Sequence, residues 1–187
     1  MNLIDALIAY KTQYGETFMA MSTETPLQIV FLRHGGCTFC REALADIAAR
    51  REAIEADDTR IVLVHMMAEE QTGALFARYG LADLPRISDP TRRLYRAFEL
   101  ESGSLKQLLG WKVWWRSLVA GILNRHGAGK LMGDGRQMPG VFVVQNGSIL
   151  KAFRHLTAAD RPHYEQFTGT ACGLLEGGAA SRRWLPG

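Results

Sequence analysis

Two cysteines three residues apart, Cys37 and Cys40, stand in the stretch FLRHGGCTFCREALADI, residues 31–47. Three chemistries are open to that spacing: a dithiol that closes to a disulfide, half of a metal site, or two inert thiols that fill space. Only the thiolate is a nucleophile, so whatever lowers the thiol pKa decides between them. A helix N-terminus does so through unsatisfied N–H groups and the positive end of the dipole. Arg33, His34 and Arg41 add basic residues close by in the chain. Spacing of three across a first helical turn also places the sulfurs within disulfide reach, so one thiol can attack and the other resolve. On this reading Cys37 is the more exposed and more acidic thiol.

The competing readings are weaker. A zinc site needs about four ligands, and beyond the CxxC the chain offers only Cys172 and His34, His65, His126, His155 and His163, with no paired spacing. No metal and no cofactor is expected. Burial as inert thiols is opposed by the charged, glycine-rich approach Arg33-His34-Gly35-Gly36. The stretch NRHGAGKL imitates a phosphate-binding loop, but Asn124 stands where its first glycine belongs and Leu131 where Ser or Thr must bind magnesium. Cys172 is read as a structural or spectator thiol, with the role of alternative resolving partner left open. His155 and Asp160 are read as surface and helix-cap residues.

The elements that must position the cysteines follow from periodicity. Leu3, Ile4, Leu7 and Ile8 give a short helical stripe that Ser22 to Pro26 interrupt, so one N-terminal helix extension is expected over residues 1–25. LQIVFL, Leu27 to Leu32, is a nearly continuous apolar run of strand length, suited to a strand covered on both faces. Gly35 and Gly36 end it, and from Cys37 the spacing turns helical, with Leu44, Ile47 and Ile54 inward and Arg41, Asp46, Arg50 and Glu52 largely outward. The CxxC therefore sits where a strand becomes a helix. A second strand is expected over Ile61 to Met66, a helix from Glu69 to Tyr79 closed by Gly80, a short strand near Ile87, and a helix started by Asp89-Pro90. Two β-branched runs around Asn146-Gly147 predict a hairpin. Asp160 to Leu175 is expected to close the chain as a helix. The order βαβα…ββα is that of a thioredoxin-like α/β fold, a central mixed sheet flanked by helices. Residues 100–135, with Trp111, Trp114 and Trp115, are surplus to it and are read as a helical insertion. Residues 176–187 are read as a flexible tail of this single domain.

Composition agrees with these assignments. The chain has 187 residues, 47% hydrophobic and 22% charged, enough to bury a core. A net charge of +3 without a clustered basic stripe argues against nucleic acid. Three cysteines are too few and too odd in number for a secreted disulfide scaffold. The N-terminus lacks the pattern of a signal peptide and no run approaches the ~20 apolar residues of a membrane span, so the expected location is the cytoplasm.

Four stretches, GGCTFCREALADI, ISDPTRRLYRAFEL, GDGRQMPGVFVVQNGSI and RHLTAADRPHY, together resemble the peroxiredoxin-like branch of the alkyl hydroperoxide reductase/thiol-specific antioxidant proteins, within the thioredoxin superfamily. The resemblance runs from Leu27 to Tyr164. It implies that Met138-Pro139 is the cis-proline element beside the CxxC, with Met138 lining the site. It also sets Cys37 at the threonine of the peroxiredoxin Thr-x-x-Cys motif, which makes Cys40 the peroxide-attacking thiol, whereas the thioredoxin analogy makes Cys37 the attacker. The threonine and arginine that activate a peroxide in ordinary peroxiredoxins are missing, and Arg33, Arg41 or Arg136 are the candidates to replace them.

The expectation from all this is a thiol-disulfide oxidoreductase. Cys37 and Cys40 form its redox couple, Thr38, Phe39, Arg33, Arg41, Met138 and Pro139 form the site around them, and a peroxide or a protein disulfide is the substrate. A thioredoxin or glutathione system would be the reductant, and a homodimer is an allowed assembly. The alternative is a redox-sensing or binding module that uses the same disulfide without turnover.

Overall fold

The structure is a computed structural model that describes residues 1–33, 38–100, 137–156 and 160–169. Five strands form one mixed sheet in the order β3-β2-β1-β4-β5. They are β1 (Leu27–Phe31), β2 (Arg60–His65), β3 (Arg86–Ser88), β4 (Gly140–Gln145) and β5 (Ser148–Arg154). The first three run parallel, and β4 and β5 are antiparallel additions, with Ile29 paired to Val62 on one side and Phe142 on the other. Every residue of β1 is buried, as its nearly continuous apolar run suggests, and Gln28, the polar exception, is buried with them.

Alternation along the strands divides the core between the two faces. Leu27, Ile29 and Phe31 pack with Val62, Val64 and Phe142 on one face, against α1 (Leu3–Ala9), α2 (Phe18–Glu24) and α5 (Arg93–Ala97). Val30, Leu63, Val141 and Val143 face the other layer, formed by α3 (Thr38–Glu55), α4 (Gly73–Ala77) and a 3₁₀ turn at Tyr164–Gln166. The hairpin between β4 and β5 turns on Asn146 and Gly147, at φ of 50° and 74°. Both left-handed values belong to the two-residue turn that matches strand twist.

Several expectations are corrected. The N-terminal extension is two helices, because Thr17 caps a second one by accepting from the Ala20 N–H at 3.1 Å, and Ser22 lies inside it. The expected Glu69 to Tyr79 helix is a 3₁₀ turn, Glu69–Gln71, followed by α4. Thr72 causes the break, since both its N–H and its hydroxyl donate to Glu69 O. Helix α5 starts after Pro90, at Arg93, where the buried Asp89 carboxylate accepts from the N–H groups of Arg93 and Leu94. Over residues 160–169 the expected closing helix is only the 3₁₀ turn. Pro162 lacks an N–H, and Gln28 of β1 donates to the carbonyls of Tyr164 and Phe167 that a helix would have used. The insertion with Trp111, Trp114 and Trp115, the continuation to Leu175 and the tail at 176–187 lie outside the described residues. Among the described residues no helix is long and apolar enough to cross a membrane.

Candidate active site around Cys40

The chain leaving β1 stays paired for one more residue, the Leu32 N–H donating to Val64 O at 2.8 Å. The next N–H, that of Arg33, donates to Sγ of Cys40 at 3.1 Å. Cys40 lies in the first turn of α3 and is 6% exposed. Donation to sulfur favours the anion over the thiol. The end of a strand and the start of a helix thus meet on one sulfur atom.

That sulfur lies on the wall of a pocket that opens to solvent. Arg33 and Phe39 flank it, Pro139 and Gly140 form the β4 side, and Tyr164 stands on the wall contributed by the C-terminal segment. Arg33 is buried, with its Nε donating to Gln137 O at 3.1 Å, while the Gln137 amide donates to Leu100 O at 2.9 Å. These bonds fix the approach to β4 against the end of β1. Gly140 stands in close quarters: a Cβ there would lie 2.8 Å from Leu100 Cδ2 and 3.2 Å from Phe153 O.

One face of α3 carries two buried carboxylates into the same pocket, Glu42 and Asp46. Arg161 answers both. Its Nε donates to Asp46 Oδ2 at 2.5 Å, its Nη2 meets Asp46 Oδ1, and its Nη1 is 3.4 Å from Glu42 Oε1. Arg50 adds a bridge to Asp46 at 3.2 Å and another to Glu165 at 2.9 Å. The hydrogen bond that Arg161 donates to Asp46 raises the Arg161 pKa, so the guanidinium stays charged. Tyr164, almost wholly buried, is pushed up chiefly by burial and then by the charges of Asp46, Cys40 and Glu42. Its hydroxyl stays protonated and remains a donor.

The residues singled out by sequence fall in different places. Phe39 is half-buried on the pocket wall beside Cys40, and Thr38 opens α3. Arg41 is half-buried and contributes nothing to the wall, and Met138 is buried behind it. Pro139 is on the wall, but the Met138–Pro139 peptide bond is trans, which corrects the expected cis geometry. His155 and Asp160 are pocket residues, not surface and helix-cap groups, since Asp160 accepts from the Leu156 N–H at 2.7 Å with no helix to cap. Cys37, His34, Gly35, Gly36, Arg136 and Cys172 lie outside the described residues.

Sequence reasoning missed Glu42, Asp46, Arg161 and Tyr164. Periodicity alone puts Asp46 on the outward face of α3, and only the packing of the segment after β5 turns that flank inward. The signal open to inspection is the spacing of four between Glu42 and Asp46, which stacks two carboxylates on one helix face.

A family model described as AhpC/TSA antioxidant enzyme matches residues 46–157, a segment that begins after Cys40. Among solved structures, peroxiredoxin Q of Xanthomonas campestris is similar with a TM-score of 0.57 at 16% identity, over 80% of this chain and 81% of that one. Peroxidoxin BcpB from Mycobacterium tuberculosis gives 0.53 at 15% identity, over 80% and 82%. A yeast mitochondrial 1-Cys peroxiredoxin, described with a thiol resolving mechanism via glutathione/thioredoxin systems, gives 0.55 at 12% identity, over 78% and 62%. At such identities these likenesses speak to the fold, a thioredoxin-like one. No curated protein sequence matches.

Proposed function

Because the chain belongs to the AhpC/TSA antioxidant enzyme family, we propose that it is a thiol peroxidase in which Cys40 attacks the peroxide and Cys37 resolves the product. Membership makes it a thiol-dependent oxidoreductase, which sets turnover above passive sensing. The observation that carries the assignment is the 3.1 Å hydrogen bond from the Arg33 N–H to Cys40 Sγ on the wall of a pocket. A cysteine that is 6% exposed in such a pocket suits a peroxide better than a protein disulfide, whose backbone must approach an exposed thiol.

In the proposed cycle the Cys40 thiolate attacks one peroxide oxygen, the O–O bond breaks, and the other oxygen leaves as water or an alcohol after taking up a proton. Cys40 is oxidised to a sulfenic acid. The Cys37 sulfur then forms a disulfide with it and expels water, and a dithiol or glutathione-type reductant returns both thiols. Arg33 and Tyr164 supply the positive charge and the hydroxyl donor beside the sulfur, in place of the absent threonine and arginine.

Stopped-flow oxidation with micromolar peroxide tests the assignment in three variants. Cys40→Ser is expected to abolish the rapid reaction. Cys37→Ser should keep the first step and leave a sulfenic acid on Cys40 that dimedone labels, while Cys172→Ser should cycle normally with a thioredoxin or glutathione system. Rapid oxidation surviving in Cys40→Ser and lost in Cys37→Ser would reverse the two roles.

A further inference from the structure

The Arg33 N–H that reaches Cys40 belongs to the same peptide unit as the Leu32 carbonyl. That carbonyl accepts a hydrogen bond from the Tyr95 hydroxyl at 2.5 Å, while Val64 O lies farther from the hydroxyl, at 3.3 Å. Tyr95 is fully buried on the opposite layer of the sheet from α3, its ring 5.0 Å from that of Phe31. A continuous chain therefore crosses the sheet, from the Tyr95 hydroxyl to Leu32 C=O, through the peptide to the Arg33 N–H, and on to Cys40 Sγ.

We infer that Tyr95 is a positioning residue for the reacting thiol, polarising the Leu32–Arg33 peptide so that its N–H binds the Cys40 thiolate more strongly. The inference rests on the reading that Cys40 is the thiol that attacks. A carbonyl that accepts a bond leaves its amide a better donor, and links in such chains reinforce one another. The sense of the chain is fixed, because Tyr95 can only donate to a carbonyl. Burial, and after it the charges of Cys40 and Asp89, pushes its hydroxyl far above the usual tyrosine range, so the donor persists at every working pH. Its position is also fixed: Asp89 organises the start of α5 through Arg93 and Leu94, immediately before Tyr95.

Other groups face Cys40 from each neighbouring element. Glu42 and Asp46 of α3 disfavour a thiolate, Arg161 offsets them, Arg33 favours it, and His155 and Asp160 stand on the wall after β5. Tyr164 is the remaining hydroxyl there. Replacing Tyr95 by Phe changes none of these, so their contribution cancels in a comparison.

The test uses protein carrying Cys37→Ser and Cys172→Ser, leaving Cys40 as the sole thiol, and follows its alkylation rate by iodoacetamide against pH. Adding Tyr95→Phe should move the midpoint upward and slow alkylation below it by up to about fourfold, the size of a ~10–30% weakening of a charge-assisted bond, with the high-pH limit unchanged. Phe98→Leu, in the same aromatic cluster, should lower stability and leave the profile in place. Superimposable profiles with and without Tyr95→Phe, or an equal shift from Phe98→Leu, would overturn the inference. A second readout needs no variant at position 95: the Arg33 amide and Tyr95 ring resonances should move with one common midpoint as Cys40 titrates, and a Tyr95 signal indifferent to that titration would also overturn it. A Tyr95-dependent midpoint in protein that consumes no peroxide supports the chain of bonds while removing the peroxidase assignment.

Discussion

Arg161 reaches across the pocket to Asp46, joining the segment after β5 to α3 beside Cys40. The Asp46 carboxylate is nine-tenths buried, whereas Arg161 is 43% exposed, so the pair is held from one side by protein and from the other by solvent. Removing the cation leaves Asp46 and Glu42 partly uncompensated near a thiolate. Arg161→Met is expected to cost about 1–2 kcal/mol, below the value for a fully buried pair because solvent and Arg50 still screen the charge. Urea denaturation of the single variant, Asp46→Asn and the double variant should show the double less destabilised than the sum. Strict additivity would show that the pair contributes nothing specific.

Tyr164 has no hydrogen-bond partner for its hydroxyl among the described residues, yet it stands on the pocket wall with Cys40. A buried hydroxyl left open toward a pocket is available to a substrate oxygen. Tyr164→Phe should slow oxidation by peroxide about tenfold, the scale of one lost hydrogen bond, while alkylation of Cys40 by iodoacetamide changes far less. Equal slowing of both reactions would place the effect on the thiol and not on the peroxide.

Gln28 joins the middle of the sheet to the C-terminal wall, with its Nε2 2.6 Å from Tyr164 O and 2.8 Å from Phe167 O. Gln28→Leu removes the buried side-chain donor that these two carbonyls share and is expected to cost about 1–3 kcal/mol. Because the bonds hold the segment carrying Tyr164, the same variant should speed amide exchange at residues 164–167 more than in β1. Uniform acceleration across the chain would show only global destabilisation.

The sheet is legible in the sequence for a physical reason: β1 and β4 are buried on both faces and so read as nearly continuous apolar runs, with Gln28 the polar exception inside β1, and Asn146-Gly147 leaves little choice of turn. The helices are legible only where periodicity is long. The pattern of α3 is plain, but Thr17 and Thr72 set boundaries through single hydrogen bonds that composition does not announce. The site divides in the same way. Cys40 is marked by local spacing, whereas Tyr95, Arg161 and Tyr164 join it from distant parts of the chain through a carbonyl, a carboxylate and a pocket wall. Asp46 reads as a solvent-facing residue because a helix flank shows no sign of the segment that will cover it.

His65, at the end of β2, gives the last prediction. It is 1% exposed in its side chain, its Nδ1 donates to Met67 O at 3.1 Å, and its Nε2 lies 3.5 Å from Glu69 Oε2. Burial lowers its pKa to about 4, against the partial opposition of the Glu69 carboxylate, which Arg86 holds at 2.7 Å. The unfolded chain takes up this proton near pH 6.5 and the folded one only near pH 4, so protonation favours unfolding between those values. The contribution of His65 to stability is therefore intact above about pH 6.5, falls as pH drops toward 4, and levels off below, a loss of up to about 3 kcal/mol. His65→Asn retains a donor for Met67 O and cannot titrate. Urea denaturation from about pH 7.5 to about pH 4.5, a range that spans most of this window, should show wild-type stability falling more steeply than that of the variant, with the carboxylates contributing alike to both. Parallel slopes would mean that His65 takes up its proton equally well in the folded chain.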